Sequence, residues 1–254
     1  MSDAPPARPP IVRVADLVKL YGREGERTSV LRGVTCAVEE GRFVCIMGPS
    51  GSGKSTLLHL ISGLDEPSAG RVELAGRDLA QLGLGARTLL RRKTIGYVFQ
   101  FFNLLPNLTV RENVGLPLVI AGAPPARGAE VVTPLLERFG LAARAAAFPH
   151  QLAGGEMQRV SIARALAGGQ PLLLCDEPTG NLSQKAGREV METLRRLCDE
   201  NGRTVLLVTH NPRDAAFADR VHFLVDGRLE ESVVLHGPGL AVEDVHAALG
   251  VLRI

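Results

Sequence analysis

Residues able to bind phosphate occur in a glycine-rich run that separates an apolar segment from a helix-compatible one. The run is Gly48, Pro49, Ser50, Gly51, Ser52, Gly53, Lys54, Ser55 and Thr56, and it follows the apolar residues 43–47. Glycines let the backbone wrap closely, so that successive N–H groups point at phosphate oxygens. The new helix adds its positive N-terminal end. We expect Lys54 to reach the β- and γ-phosphates and the Ser55 hydroxyl to bind Mg²⁺. A turn that merely starts a helix would not require the Lys-Ser pair.

Two adjacent carboxylates follow a second apolar run, residues 172–175. In a parallel sheet, the carboxyl end of such a strand lies at the ligand crevice. We expect Asp176 to hold Mg²⁺, directly or through water, and Glu177 to orient or deprotonate the attacking water. A plain helix N-terminus is the alternative interpretation of the pair, and it is disfavoured in a chain that also has the phosphate loop.

Single polar residues follow two further apolar runs. Gln100 ends the run 95–99, where its amide could contact Mg²⁺ or the attacking water. His210 ends the run 204–209, where its imidazole could donate a hydrogen bond to the γ-phosphate. Neither residue alone indicates a nucleotide site. The presence of the phosphate loop and the carboxylate pair in the same chain supports both assignments.

A second glycine-led helix start occurs at Ala153, Gly154, Gly155 and Glu156. Its N-terminus also suits an anion. Two phosphate-binding elements on different parts of one chain predict that two copies face each other across the nucleotide.

The elements that position these residues predict an α/β fold. Apolar strands alternate with helices, which indicates a parallel sheet covered on both faces. Before the loop, the strand-like runs 11–20 and 31–38 are separated by a polar turn and predict an antiparallel β subdomain. Prolines interrupt the helical pattern of residues 101–166, which we interpret as an inserted, mostly helical subdomain. The predicted organisation is a disordered Pro-rich tail (1–10), an ATPase domain (11–230) and a C-terminal extension (231–254).

Composition narrows the classes of partner. The chain has 254 residues, 45% of them hydrophobic, and a net charge of +2. That charge is too mild and too dispersed to indicate nucleic acid, so none is expected. The sequence lacks an uncharged apolar run of about 18 residues, which predicts that the chain does not itself cross a membrane.

Together these motifs resemble those of an ABC-type ATPase, the nucleotide-binding subunit of an ATP-driven transporter, from about residue 11 to 229. The resemblance makes residues 48–56 the Walker A motif, 172–177 Walker B, 152–156 the signature and 181–183 the D-loop. It also makes Gln100 the Q-loop glutamine and His210 the switch histidine. Tyr21 falls where the family has an aromatic that stacks on adenine. The sequences of three segments, residues 47–58, 99–106 and 177–182, most resemble those of the lipoprotein-release and macrolide-export branch of the family.

The resemblance implies ATP and Mg²⁺ as cofactors and a head-to-tail homodimer or pseudo-dimer. It also implies an integral-membrane permease partner that holds the chain at the cytoplasmic face of the membrane. Phe101, Phe102, Leu104 and Leu105 are candidates to line the contact with that permease. The alternative is that they fill the core of the helical insertion. A lipoprotein, a lipid, a drug or a peptide would suit the branch as cargo.

Two residues depart from the family pattern. Ala153 stands where the signature usually has Ser, and Ser183 stands where the D-loop usually has Asp. Loss of one hydroxyl costs of order 1 kcal/mol, so we expect an active but slow ATPase. Two alternatives remain at this point: a soluble ABC-type ATPase that acts on DNA or ribosomes, and a slow ATP-sensing regulatory module.

Overall fold

The computed structural model describes residues 9–23 and 26–254. Most of the predicted N-terminal tail therefore lies outside the described residues. The first strand begins at Pro10, one residue before its predicted start, because Pro10 pairs with Glu39.

Ten strands and eight α-helices make up the described chain. The strands are β1 (Pro10–Tyr21), β2 (Thr28–Glu39), β3 (Phe43–Met47), β4 (Ala69–Leu74), β5 (Arg77–Asp78), β6 (Ile95–Val98), β7 (Leu172–Asp176), β8 (Thr204–Thr209), β9 (Arg220–Val225) and β10 (Arg228–His236). The helices are α1 (Lys54–Ile61), α2 (Leu84–Thr94), α3 (Val110–Ile120), α4 (Pro125–Arg138), α5 (Gly154–Leu166), α6 (Gln184–Asn201), α7 (Pro212–Ala215) and α8 (Val242–Leu252).

The strands form two sheets. The first has the order β2-β1-β4-β5 and is antiparallel throughout. The second has the order β10-β9-β3-β8-β7-β6, with five parallel strands and β10 added antiparallel at one edge. The predicted α/β class, with a parallel core and an N-terminal antiparallel sheet, is confirmed. A tight turn at Asp226 and Gly227 closes the β9–β10 hairpin, as Asp-Gly predicts.

The central strand β3 is buried along its whole length. Its side chains alternate between two hydrophobic cores, as the two-residue period of a strand requires. Phe43, Cys45 and Met47 join the core that contains α5, α6 and the helices before them. Val44 and Ile46 join the core between α1 and the antiparallel sheet. This burial on both faces explains why β3 is a continuous apolar run.

Residues 101–166 contain α3, α4 and α5. Pro117 and Pro134 lie inside α3 and α4, where we expected prolines to interrupt the helices. Each proline removes one backbone hydrogen bond. The buried side chains of Val114, Val132 and Leu136 hold these helices on the core nevertheless, because packing of an apolar face supplies most helix stability in proteins.

Four predicted site residues lie at the carboxyl edge of the parallel strands. Gly48 follows β3, Gln100 follows β6 by two residues, Asp176 ends β7 and His210 follows β8. Since β6, β7, β8 and β3 are neighbours in that order, the fold brings these chain segments to one crevice. Among the described residues, no helix combines the length and the apolar character that a membrane span needs.

Candidate active site

The phosphate loop connects β3 to α1, and two of its glycines are required by geometry. A Cβ on Gly48 would lie 2.1 Å from the carbonyl oxygen of Leu224. Gly53 caps α1 with φ of 104°, a left-handed conformation that L side chains rarely adopt. These glycines therefore fix the loop beside β9 and aim the N-terminus of α1 into the crevice.

Two polar side chains of the loop are buried. The Lys54 ammonium donates to the carbonyls of Gly48 and Pro49, both at 2.9 Å. The Ser52 hydroxyl has no hydrogen-bond partner among the described residues. A buried hydroxyl without a partner is costly, so Ser52 offers an unused donor where a phosphate oxygen would bind.

Two of the three predicted Mg²⁺ ligands are in contact. The Ser55 hydroxyl donates to Oδ1 of Asp176 at 2.9 Å. Ligands on adjacent vertices of a Mg²⁺ octahedron, at about 2.1 Å from the ion, are themselves about 3 Å apart. Burial raises the pKa of the Asp176 carboxyl, and the Ser55 hydrogen bond opposes that rise. A desolvated carboxylate beside a hydroxyl fits a small divalent cation.

Glu177 has a backbone φ of 46°, which is unusual for a residue with a side chain. The turn sends its carboxylate toward the end of β8. There it lies 2.9 Å from Nδ1 of His210 and accepts from the Thr209 hydroxyl at 3.3 Å. Lys54 Nζ is 3.7 Å from the same carboxylate. Three neighbours thus define the position of Glu177.

His210 contacts Glu177 through one ring nitrogen, and its side chain is 55% exposed. A neutral imidazole that donates from Nδ1 leaves Nε2 as an acceptor. The ring must carry both protons to bind Glu177 and a phosphate oxygen at once.

Gln100 is adjacent to the turn that follows Glu177. A Cβ on Gly180 would lie 2.9 Å from Nε2 of Gln100, and Asn181 donates to the Gln100 carbonyl at 2.9 Å. Among the described residues, the Gln100 amide makes no hydrogen bond to Ser55 or Asp176, so its contact with the metal stays a prediction.

Tyr21 lies beside the end of the phosphate loop. Its hydroxyl donates to Asp65 at 2.7 Å, and the Lys19 ammonium is 4.7 Å from its ring centre. Burial and the Asp65 hydrogen bond raise the pKa of Tyr21, while a hydrogen bond with Thr56 lowers it. The ring is 41% exposed, which is compatible with the predicted stacking on a base.

The signature residues form the N-terminus of α5. The Ala153 N–H donates to the Glu156 carboxylate at 2.9 Å, and this hydrogen bond lowers the pKa of Glu156. A Cβ on Gly154 would lie 3.2 Å from Leu182, and a Cβ on Gly155 would lie 3.3 Å from Ala186. This element packs on the D-loop region. Among the described residues, the hydrogen bonds of its Glu156 side chain are with Arg144 and Ala153, not with the phosphate loop.

Ser183 caps α6, because its hydroxyl accepts from the Ala186 N–H at 3.4 Å. The D-loop departure therefore keeps a local role in helix capping, which Asp would also fill.

Sequence reasoning missed two sets of contacts. The Thr179 hydroxyl donates to the buried Asp214 carboxylate. Arg164 of α5 donates to the carbonyls of Phe102 and Asn103, at 2.8 and 2.6 Å, and both of those residues have positive φ. Neither Asp214 nor Arg164 belongs to a motif. The available signal in the sequence is a charged residue that interrupts an otherwise apolar helical or alternating pattern.

The fold and the crevice define a P-loop ATPase, and comparisons with known proteins identify its family. The family described as ABC transporter matches residues 31–180, more than half of the chain. The lipoprotein-releasing system ATP-binding protein LolD of Geobacter metallireducens is 47% identical over 219 residues, which are 86% of this chain and 97% of that protein. The macrolide export ATP-binding/permease protein MacB of Nitrosomonas europaea is 43% identical over 244 residues, 92% of this chain but 37% of that longer protein.

A solved structure has the same fold. It is the dimeric post-hydrolysis state of the ATP-binding cassette MJ0796 bound to ADP and Pi, with a TM-score of 0.81 and 40% identity. The match covers 89% of this chain and 98% of that chain. The chain belongs to the ABC transporter family, and it is an ATP-hydrolysing cassette of the kind that powers transport.

Proposed function

We propose that one copy of this chain supplies the hydrolytic half of an Mg–ATP site and that a second copy supplies the signature half. The observation that carries the proposal is the position of the Glu177 carboxylate. It lies at the crevice edge between His210 and Thr209 and within 3.7 Å of Lys54. A base held beside the phosphate-binding lysine is what water attack on a γ-phosphate requires.

Each side chain of the hydrolytic half has a distinct role in the proposal. The loop backbone and Lys54 bind the phosphates and offset their charge. Glu177 orients the attacking water and accepts its proton. His210 holds Glu177 through Nδ1 and, when doubly protonated, donates to the γ-phosphate from Nε2.

Ser55 and Asp176 would hold Mg²⁺ in this site. When bound, the ion would neutralise charge on the β- and γ-phosphate oxygens. Gln100, which follows β6 by two residues and lies against Gly180, is a third candidate ligand through its amide oxygen.

The second copy is needed because the signature of one chain lies away from its own phosphate loop. Gly154 and Gly155 pack on residues of the D-loop and α6, and their helix N-terminus is oriented for a ligand from another copy. The dimeric state of the MJ0796 cassette supports this arrangement. In the proposed head-to-tail dimer, ATP closes the interface and loss of the γ-phosphate opens it.

We further propose an integral-membrane permease partner, with the chain on the cytoplasmic side. Exposed apolar side chains follow Gln100 as expected: Phe101 is 72% exposed and Leu105 is 44% exposed. Leu104, in contrast, packs on the core. Because the relatives are named for lipoprotein release and macrolide export, we propose outward movement of an amphiphilic cargo.

The test is the variant Glu177→Gln, which keeps the shape of the side chain and removes its basicity. We expect turnover to fall at least about 100-fold, while ATP shifts the variant to a dimer on size-exclusion chromatography. Lys54→Ala is the control, since it should lose both activity and the dimer. Wild-type turnover in Glu177→Gln, or a monomer at saturating ATP, would contradict the proposed site.

A second arm addresses the permease. Purification from membranes in mild detergent should recover the Glu177→Gln variant with a multi-span membrane protein, and Phe101→Asp should abolish that association while ATP hydrolysis continues. Equal recovery of the membrane protein with both variants would exclude this surface as the contact.

A further inference from the structure

Asp214 is a buried carboxylate without a role in the site as described so far. It lies in the short helix α7, four residues after His210, and is 4% exposed. Burial of a carboxylate costs free energy unless its charge is compensated. A buried carboxylate beside the crevice is therefore a candidate for a functional role.

The contacts of Asp214 reach both chain segments that surround Glu177. The hydroxyl of Thr179, two residues after Glu177, donates to Oδ2 of Asp214. Asp214 itself belongs to the segment after β8, where its N–H donates to the Asn211 carbonyl at 3.1 Å. In the same segment, the Thr209 hydroxyl donates its one proton to Glu177 at 3.3 Å.

The same segment is connected to the remainder of the crevice. Gly180, next to Thr179, lies against the Gln100 amide, and the Asn211 N–H donates to the Thr209 hydroxyl at 3.0 Å. Asp214 therefore joins the turn after β7 to the turn after β8. Within the described chain, these are the two turns that hold Glu177 and His210.

The charge of Asp214 opposes stability rather than supporting it. Burial and the nearby Glu177 charge raise its pKa to about 6, against the hydrogen bond from Thr179 and the charge of His210. Ionisable groups kept at a cost next to a reactive centre are typical of functional sites.

We infer that Asp214 is a positioning residue that fixes the Glu177 carboxylate for water attack by anchoring Thr179, in the turn after Glu177, to α7, in the segment after His210. The inference rests on the proposed role of Glu177. Asp214 does not touch the nucleotide; it acts only through Thr179 and the segment that follows β8. Loss of the anchor would leave phosphate binding at Lys54 intact and let Glu177 shift from its position.

The expected effect is on turnover and not on ATP affinity. A displacement of about 1 Å in a reacting group costs roughly 100-fold in rate. In Asp214→Val, we expect turnover at saturating ATP to fall about 10- to 100-fold, with KM for ATP within about twofold of wild type. Asp214→Asn retains an acceptor for Thr179 and should recover most of the turnover.

Asp219→Asn is the matched control. Asp219, five residues after Asp214 in the chain, is a carboxylate that accepts from the Phe43 N–H at 2.8 Å and from Arg195 at 2.9 Å. Phe43 begins β3, so these contacts lie at the end of the strand away from the phosphate loop. Its substitution should lower the thermal midpoint and leave turnover unchanged. Thr179→Val tests the same anchor from the other side, and combining it with Asp214→Val should add little to the larger single loss.

Each outcome decides the matter. Wild-type turnover in both Asp214→Val and Thr179→Val would overturn the inference, and so would a raised KM with unchanged turnover or an equal loss in Asp219→Asn. If Asp214→Val does not fold, Thr179→Val carries the decision. Glu177→Gln, assayed in parallel, separates the two levels: an active Glu177→Gln overturns the proposed function and with it this inference. An inactive Glu177→Gln beside wild-type turnover in both Asp214→Val and Thr179→Val overturns the inference alone.

Discussion

The crevice edge and the N-terminus of α5 are both phosphate-binding elements, but they are built differently. At the crevice edge, Lys54, Ser55 and Glu177 are held by hydrogen bonds within the same chain. At α5, Ala153 supplies no side-chain cap, and the hydrogen-bonded neighbour is the carboxylate of Glu156.

This difference shows how the work is divided between two copies. The crevice edge can assemble its chemistry before a partner arrives, because neighbours in the same chain fix each group. The α5 N-terminus offers backbone donors and a helix dipole, which gain value only when a ligand is presented to them. Substitutions at the crevice edge should therefore affect nucleotide binding by one copy, whereas substitutions at the α5 N-terminus should affect closure of the dimer.

The largest separation is expected from Gly154→Val. A Cβ at residue 154 already lies 3.2 Å from Leu182, so the branched side chain would displace the α5 N-terminus. We expect ATP hydrolysis to fall about 100-fold, the scale for losing donors to a developing charge, while one copy still binds a fluorescent ATP analogue normally. Gly128→Val is the control, since its Cβ would enter open space on α4. Weakened nucleotide binding in Gly154→Val would erase the distinction between the regions.

The free energy of unfolding, measured as a function of pH, should show what it costs to bury the charge of Asp214. The pKa of Asp214 is about 6 in the folded state, against 3.8 for the free side chain. Between these values the folded chain binds more protons than the unfolded chain, so wild-type stability falls as pH rises from about 4 to 6. Relative to wild type, Asp214→Asn should gain up to about 3 kcal/mol in free energy of unfolding over that interval. The free energy of unfolding is measured by denaturant titration at each pH. The same pH dependence in both proteins would contradict the raised pKa of Asp214.

The smallest effect is expected from Ala153→Ser at the α5 N-terminus. A hydroxyl there would cap α5 and donate to the partner's nucleotide, and about 1 kcal/mol corresponds to roughly fivefold faster turnover. Ala241→Ser is a close control. Ala241 begins α8 with the same arrangement, its N–H donating to Asp244 at 3.0 Å. Both variants should gain thermal stability, and only Ala153→Ser should gain turnover; an equal result would mean that the hydroxyl acts through helix capping alone.

The sequence predicted the parts of the site that depend on local spacing. Residues 48–56 and the Asp176–Glu177 pair were identifiable because a strand, a loop and a helix follow one another without interruption. The anchor at Asp214 was not, since Thr179 is 35 residues away in the chain and meets it only through the order of β7 and β8. Pro117 was expected to interrupt a helix for a related reason: local propensity gave way to packing, since α3 continues through Pro117 with Val110 and Val114 buried in the core.

Because β3 contributes alternate side chains to both hydrophobic cores, neither core can lose its order without disturbing the strand that leads into the phosphate loop. Unfolding of the regions around β3 should therefore be cooperative, with one transition seen by probes in either core. Nucleotide bound after β3 stabilises the folded state by mass action. That stabilisation should slow unfolding of the antiparallel sheet as much as unfolding of the loop itself. Amide hydrogen exchange in β1 and β2 should therefore slow when ATP binds, although these strands lie outside the phosphate loop.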